Sequence, residues 1–376
     1  MNKLAFFAVI LFCIVSCSSI QSTATSSATL QLKFLNSIEI PSDQEFKNTL
    51  VGGLSGIDYD AKNDIYYLIS DDRSEYNIAR FYIAKILLTT DKIKSIKFEN
   101  VVSFKNKAKE NYSNWQKKPA TSIDPEDIRY NPKTKNIVWS SEGARVISDQ
   151  TTILQNPSIQ TTTLEGNFVN NYNLSSNLKM QKEDKGPRSN AVLEGITFDK
   201  KYRTLFANIE SPLFEDDKEA TTTKGALIRM YQYEVKSKTN TAQYAYLLDP
   251  VAHFPIPENG FSINGVSAIQ YYDKNQLLVV ERSYSVGTQK CTIKIYLCDF
   301  TKATNVKDFT SLQNQKFILA SKKLVLNMDD LNVFVDNIEG ITFGPKLASG
   351  KQSLLFVTDN NFSKLQKTQI LLFEVE

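Results

Sequence analysis

Short runs of alternating apolar and polar residues recur along this chain, and one phrase repeats. It is clearest between Asp124 and Glu142. Asp124-Pro-Glu-Asp-Ile128 opens a strand-like stretch, Asn131-Pro-Lys-Thr134 makes a polar turn, and Ile137-Val-Trp-Ser-Ser-Glu142 runs back. The same phrase returns at Leu193–Glu210, Ile338–Asp359, Leu54–Asp71 and Val266–Glu281. Taking Ser55, Glu126, Glu194, Ser267 and Glu339 as equivalents, the steps are 71, 68, 73 and 72 residues. Self-similarity at a fixed period marks a repeat architecture. Strand-length alternation in every unit excludes a helical solenoid.

The pattern predicts four antiparallel strands per unit. In the first unit, Arg80–Leu87 and Ile93–Phe104 follow the opening hairpin. In the second, Thr151–Leu154 and Gly166–Asn173 are the expected outer strands; in the third, Ala226–Val235 and Ala242–Leu248; in the fourth, Thr292–Leu297 and Phe317–Leu326. Four strands in such a span make a propeller blade. The fifth unit ends after Gln369–Val375 and lacks its fourth strand, while Leu30–Ile40 near the N-terminus is a spare one. The expectation is an all-β propeller of five blades, closed by that N-terminal strand. Six blades, with one built from the long insertions, is the alternative. Closure removes the exposed sheet edges that invite aggregation. Three polar insertions interrupt the repeats: Lys105–Ser122, Ser175–Asn190 and Pro212–Gly225. Long loops in a compact domain are functional or disordered.

Composition narrows the picture. With 376 residues and 41% apolar content, the chain can bury a large core. Its 44 basic and 41 acidic residues nearly balance, so electrostatics gives a nucleic-acid role no support. Residues 1–16 read as a signal peptide, with Lys3 before an apolar run from Leu4 to Val15. That run is too short to span a bilayer. Ile14-Val-Ser-Cys17 resembles a bacterial lipobox, which implies cleavage before Cys17 and its lipidation. Residues 17–29 then form a Ser/Thr-rich tether and 30–376 the propeller domain, anchored in the envelope through lipid alone, at the outer membrane or cell surface. The other reading is secretion with an incidental cysteine. Cys291 and Cys298 are seven apart on one strand, hence on opposite faces and too far apart for a disulfide.

The candidate chemistry is acidic. In an antiparallel hairpin the start of one strand lies beside the end of the next, so each unit's opening and closing residues share a rim. Repetition collects Asp71, Asp72, Glu126, Asp127, Glu142, Glu194, Glu210, Glu281, Glu339 and Asp359 at one mouth of the central channel, with Arg73, Arg145 and Arg282 close behind. Crowded carboxylates repel unless a cation, a proton or backbone amides relieve them. Many hard oxygen ligands suit Ca²⁺, and Asp71, Glu126, Glu142, Glu194, Glu210, Glu339 and Asp359 are the candidate ligands. The competing reading is that each Glu ties its hairpin to the next blade by accepting backbone hydrogen bonds. His253, the one histidine, reads as a packed residue, and no Gly-x-Ser-x-Gly elbow, phosphate loop or His-Glu-x-x-His motif is present.

The repeats resemble the phytase-like family, named for the "esterase-like activity of phytase". The residues that carry the likeness are Gly53-Leu-Ser-Gly-Ile57, Asp124-Pro-Glu-Asp-Ile128, Leu193-Glu-Gly-Ile196, Val266-Ser-Ala-Ile269 and Asn337-Ile-Glu-Gly-Ile341, with their returning partners. Asp127 stands where the pattern has Gly, and Ala268 where it has Asp. The resemblance implies a propeller and a hydrolase of phosphoesters or carboxyesters. In that reading Asp71, Glu126, Glu194 and Glu339 serve as cation ligands or base, and Arg73 and Arg282 meet the substrate anion. The partner is a small-molecule ester and the protein a monomer. Two other functions stand beside it: a non-catalytic surface binding propeller, and a calcium-dependent sugar-lactone hydrolase.

Overall fold

The computed structural model describes residues 30–288 and 290–376; the expected signal segment, Cys17 and the tether lie outside them. Five four-stranded antiparallel sheets carry the chain. From inner to outer strand, blade 1 is Leu54–Asp60, Ile65–Ser70, Arg80–Leu88 and Ile93–Ser103. Blade 2 is Pro125–Asn131, Asn136–Ser141, Ser158–Thr163 and Phe168–Asn171. Blade 3 is Leu193–Phe198, Thr204–Ile209, Leu227–Glu234 and Thr239–Leu247. Blade 4 is Ser262–Asp273, Gln276–Ser285, Thr292–Asp299 and Ser321–Asn327. Blade 5 is Ile338–Lys346, Gln352–Thr358 and Thr368–Val375, completed by the N-terminal strand Leu32–Ile40. The inner strands touch in a closed cycle, blade 1 to 2, 2 to 3, 3 to 4, 4 to 5 and 5 back to 1. The ring therefore has five blades, closed as the repeat predicts.

Blade 2 departs from expectation. Thr152–Gln155 is no blade strand; it pairs with Ala144–Ile147 as a separate hairpin, and Ser158–Thr163 takes the third place. Thr152–Gln155 carries Ile153 and Leu154 whereas Ser158–Thr163 has one apolar residue, Ile159, so the apolar pattern favours the stretch that is not in the blade.

Burial follows position in the blade. The inner strands are dry on both faces, Pro125–Asn131 and Leu193–Phe198 throughout. The outer strands Phe168–Asn171 and Ser321–Asn327 have no buried residue. Blades pack face to face through shared apolar layers. Ile57, Leu68 and Tyr82 of blade 1 meet Leu355, Val357 and Ile370 of blade 5, and Tyr67, Ile69 and Phe81 meet Ile128 and Trp139 of blade 2.

Two features set the width of the channel. The residues after the five rim positions are Gly56, Asp127, Gly195, Ala268 and Gly340. A Cβ on Gly56 would meet Asp127 at 2.6 Å, one on Gly195 would meet Ile269 N at 2.7 Å, and one on Gly340 would lie 3.1 Å from Gly56. The side-chain-bearing residues, Asp127 and Ala268, are thus never neighbours in the ring. Below this waist Arg129 fills the axis. Its guanidinium donates to the carbonyls of Ile57 (2.6 Å), Ile128 (3.0 Å), Ile269 (3.2 Å) and Ile341 (3.2 Å), and pairs with Asp127 at 3.0 Å. Asp127 in turn accepts from Ile196 N at 2.8 Å. One ion pair thereby reaches the equivalent isoleucine of all five blades.

Removing residues 29–40 reopens blade 5 and strips the ladder from Leu32↔Val375 to Ile40↔Thr368. The melting temperature is expected to fall by roughly 10 °C or more, at about 2–4 °C per kcal/mol for a large domain. Removing residues 18–27 instead should change it little. Differential scanning calorimetry of the two truncations checks this, and equal melting temperatures would contradict it.

Candidate functional site

Strand direction places the chemistry. Inner strands run away from the mouth formed by their first residues, second strands return to it, and fourth strands end on the same side. The loops after second strands and those joining successive blades therefore crowd one face. All three polar insertions lie there, and they are ordered. Trp115 N and Ser122 Oγ donate to Arg73 O at 3.0 and 3.2 Å, and Asn190 accepts from Arg73 Nη2 at 2.6 Å. The buried pair Arg229–Asp216, at 2.6 and 2.8 Å, fixes the third insertion.

At that mouth the structure brings together Asp71, Asp124, Glu126, Glu142, Glu194, Glu210, Glu339 and Asp359 with Arg73 and Arg282. One carboxylate oxygen each from Asp71, Asp124 and Glu126 lies within 4.8 Å of the other two. Arg73 contacts Asp124 and lies 3.8 Å from Glu142. Arg282 bridges Glu210 at 2.5 Å and Glu339, and donates to Asn337 Oδ1 at 2.7 Å. Glu210 crosses Gly265, where any Cβ would collide with its side chain at 2.3 Å. Both arginines are thus paired with carboxylates of the rim.

Other expected members turn away. Asp72 is buried against Arg80 at 2.7 Å and accepts three backbone amides, from Glu75, Tyr76 and Asn77. Asp127 belongs to the axial pair. Glu281 faces Tyr246, Asp249 N, Asn264 and Lys322 within blades 3 and 4. Arg145 clamps the second insertion through Gln181 O and Asp184. His253 is exposed and meets Thr292 Oγ1 at 3.1 Å. Cys291 and Cys298 are buried free thiols.

The glue reading fails for the glutamates at the centre. Interblade contacts use hydroxyls: Ser55 Oγ donates to Glu126 O, Ser140 Oγ to Glu194 O and Ser267 Oγ to Ile338 O. Glu142 does accept Val192 N of the next blade, at 2.7 Å. The Glu126 and Glu194 carboxylates accept no hydrogen bond among the described residues, although both side chains are buried. Asp124 Oδ1 and Asp359 Oδ2 are buried and receive no N–H donor; only the neighbouring carboxyls of Asp71 and Glu339 share a proton with these two groups.

Such an arrangement holds protons or cations. Burial, reinforced by neighbouring carboxylates, lifts Asp71, Glu126, Glu194 and Asp359 well above the usual carboxylate range. Burial raises Asp124 and Glu339 despite the arginine beside each, and pushes Glu142 up to about 8. Asp124, which no acid-rim spacing singled out, is the residue that joins Asp71 to Glu126; its only sequence signal is that it opens the Asp-Pro-Glu-Asp phrase. Three convergent carboxylates with an orphaned oxygen fit a hard cation such as Ca²⁺.

The family model described as "Phytase-like: Esterase-like activity of phytase" matches residues 49–362, most of the chain and every acidic residue of the mouth. The chain belongs to the phytase-like family. Membership supports a hydrolase-type propeller. The curated proteins include no match. Among solved structures, this phytase-like chain is similar to an endo-arabinase from Bacteroides thetaiotaomicron, at 14% identity and TM-score 0.44 over 89% of this chain and 96% of that one. It is similar also to an α-L-arabinofuranosidase from Lactobacillus brevis, at 11% identity and TM-score 0.46 over 88% and 93%. A periplasmic gluconolactonase from Pseudomonas aeruginosa aligns at 8% identity and TM-score 0.38 over 92% and 98%.

Because the folded state holds protons that the unfolded chain releases near pH 4, stability in chelator should fall as pH rises from about 4 toward 8. Glu126→Gln removes one repelling charge and no hydrogen bond, so at pH 8 in chelator it should melt at or above wild type. Glu281→Gln disturbs a satisfied network and should cost about 1–3 kcal/mol. Thermal melts of both variants check the contrast; a Glu126→Gln loss as large as that of Glu281→Gln would contradict it.

Proposed function

We propose that the protein is a cation-assisted ester hydrolase acting on small molecules at the acidic mouth. The observation that carries this reading is the convergence of Asp71, Asp124 and Glu126 around a common point, with an orphaned Asp124 oxygen and no amide to satisfy it. Family membership supports hydrolysis as the activity, and a phosphate or carboxylic ester is the expected bond. Asp71, Asp124 and Glu126 would hold the ion, with Ca²⁺ the proposed one. The ion supplies a Lewis acid that polarises the ester oxygen and favours ionised water near neutral pH.

The chain's own residues do the rest. Arg73 holds Asp124 in place and is itself held by Asn190 and the backbone of the first insertion. Glu194 stands next along the rim from Glu126, buried and without a hydrogen-bond partner. A carboxylate raised by burial is suited to take a proton from water as general base near neutral pH. Arg282 and Asn337 fix Glu339 in one orientation, which leaves it a positioning role.

The test is hydrolysis of 4-nitrophenyl acetate and 4-nitrophenyl phosphate by protein treated with chelator and then with calcium. Turnover should appear only with the ion. Asp124→Asn should lower it about 10²-fold or more, the scale of a lost charged contact to a reacting centre. Equal turnover of wild type and Asp124→Asn, or none on either ester with calcium, would overturn the proposal.

A further inference from the structure

Beside the triad, and on the same face, a cavity of about 320 Å³ is lined by Asp71, Asp72, Arg73, Glu75, Tyr76, Trp115, Asn361 and Phe362. Three of its eight lining residues, Tyr76, Trp115 and Phe362, are aromatic among acidic and amide side chains. Tyr76 and Phe362 stack at 4.3 Å with 17° between their planes, and Tyr76 is 57% exposed. The Arg80 guanidinium lies 5.9 Å from the Phe362 ring, and Trp115 faces Arg73 at 5.3 Å. The fold holds these rings in place. Trp115 is tied by its amide to Arg73 O, and Phe362 by its own to Asn360 Oδ1 at 3.2 Å. The Phe362 ring also covers Gly52 and Gly53, where a Cβ would touch it at 3.0 and 2.5 Å.

The charges of this cavity point the same way. Arg73 is its one cation, and Asp124, Glu142 and Asn190 already engage it. Asp71 and Glu75 are acidic walls. Filling the triad with one divalent ion leaves five rim carboxylates facing two arginines. A polyanion such as an inositol polyphosphate finds no unpaired cation among the lining residues and meets the exposed Glu75 carboxylate. An uncharged ring meets the exposed side of the Tyr76–Phe362 stack and the half-buried Trp115 in a space of ring size.

We propose that the Tyr76–Trp115–Phe362 cleft binds an uncharged ring, a pyranose or an arene, that carries the ester, and that multiply phosphorylated compounds are excluded. This rests on the hydrolase reading for what the site does with the ring, but not for the binding itself. The substrate class is thus a ring-bearing ester without multiple phosphates.

Intrinsic fluorescence tests it without turnover. The chain has two tryptophans, and Trp139 is 1% exposed and stacked on Phe104, so Trp115 is the reporter. Glucose pentaacetate and benzyl acetate are titrated into the intact domain in chelator and again in calcium, beside inositol hexakisphosphate. At least one neutral ring should shift Trp115 emission saturably, and the two esters tell a pyranose from an arene. Tyr76→Ala should weaken that binding about tenfold or more and Tyr76→Phe should restore it. Inositol hexakisphosphate should give no saturable shift in either condition. A saturable hexakisphosphate shift, no response to either neutral ring, or equal affinity of Tyr76→Ala and wild type would overturn the proposal. Binding of a neutral ring without hydrolysis in calcium would sink the hydrolase reading instead, and hydrolysis with Trp115 unmoved would sink this one alone.

Discussion

The Arg129–Asp127 ion pair on the propeller axis is the interaction on which the rest depends. A ring of blades has no core at its centre, only five inner strands whose carbonyls and amides converge. Arg129 answers that with donors aimed at Ile57, Ile128, Ile269 and Ile341, and Asp127 with an acceptor for Ile196. A lone guanidinium there would be a buried charge without compensation, and a lone carboxylate likewise, so the two residues stand or fall together. Asp127 fits because its neighbours in the ring, Gly56 and Gly195, carry no side chain. The plug also divides the channel: a separate cavity of about 280 Å³, lined by Arg129, Tyr130, Tyr202 and Tyr271, lies at the other mouth.

A closed floor changes the electrostatics above it. Water reaches the acidic mouth from one side only, and the insertions narrow even that. Carboxylates that would be ordinary on a wet surface are there desolvated and close to one another, with two arginines among eight acids. Glu142, Glu210 and Glu339 tie neighbouring blades, but Glu126 and Glu194 do not; there Ser55 and Ser140 make the interblade bonds instead. The repulsion among the carboxylates is a cost to the protein alone, and a cation or a shared proton removes it. The repulsion that destabilises the empty mouth is what would favour the proposed ion there.

The repeat and its consequences were legible from the chain. The period of about 70 residues, the missing fourth strand of the last unit and the spare N-terminal one together imply five blades and their closure. Hairpin geometry likewise places Glu126, Glu142, Glu194, Glu210, Glu339, Asp71 and Asp359 on one mouth, where the structure has them. Strand periodicity says which end of a hairpin a residue occupies, but not which way a side chain at the end turns. Asp72, Asp127 and Glu281 therefore looked like rim acids, yet each found nearer donors: backbone amides, Arg129, and the Tyr246–Lys322 network. Arg129 gave no signal, because a charged residue in mid-strand reads as solvent-facing until the ring is closed around it. Asp124 precedes the repeat position by two residues, so the period does not single it out. The aromatic cleft draws on three separate loops, and no spacing along the chain connects Tyr76, Trp115 and Phe362.

The central claim is that the acidic mouth carries protons when empty and gives them up to a cation. Isothermal titration of calcium into the domain at pH 7, in buffers of different ionisation enthalpy, measures this directly. The account predicts binding accompanied by net proton release, because groups raised as Glu142 is, to about 8, are partly protonated at that pH before the ion arrives. Calcium binding with no proton release, or no binding up to millimolar calcium, would contradict it.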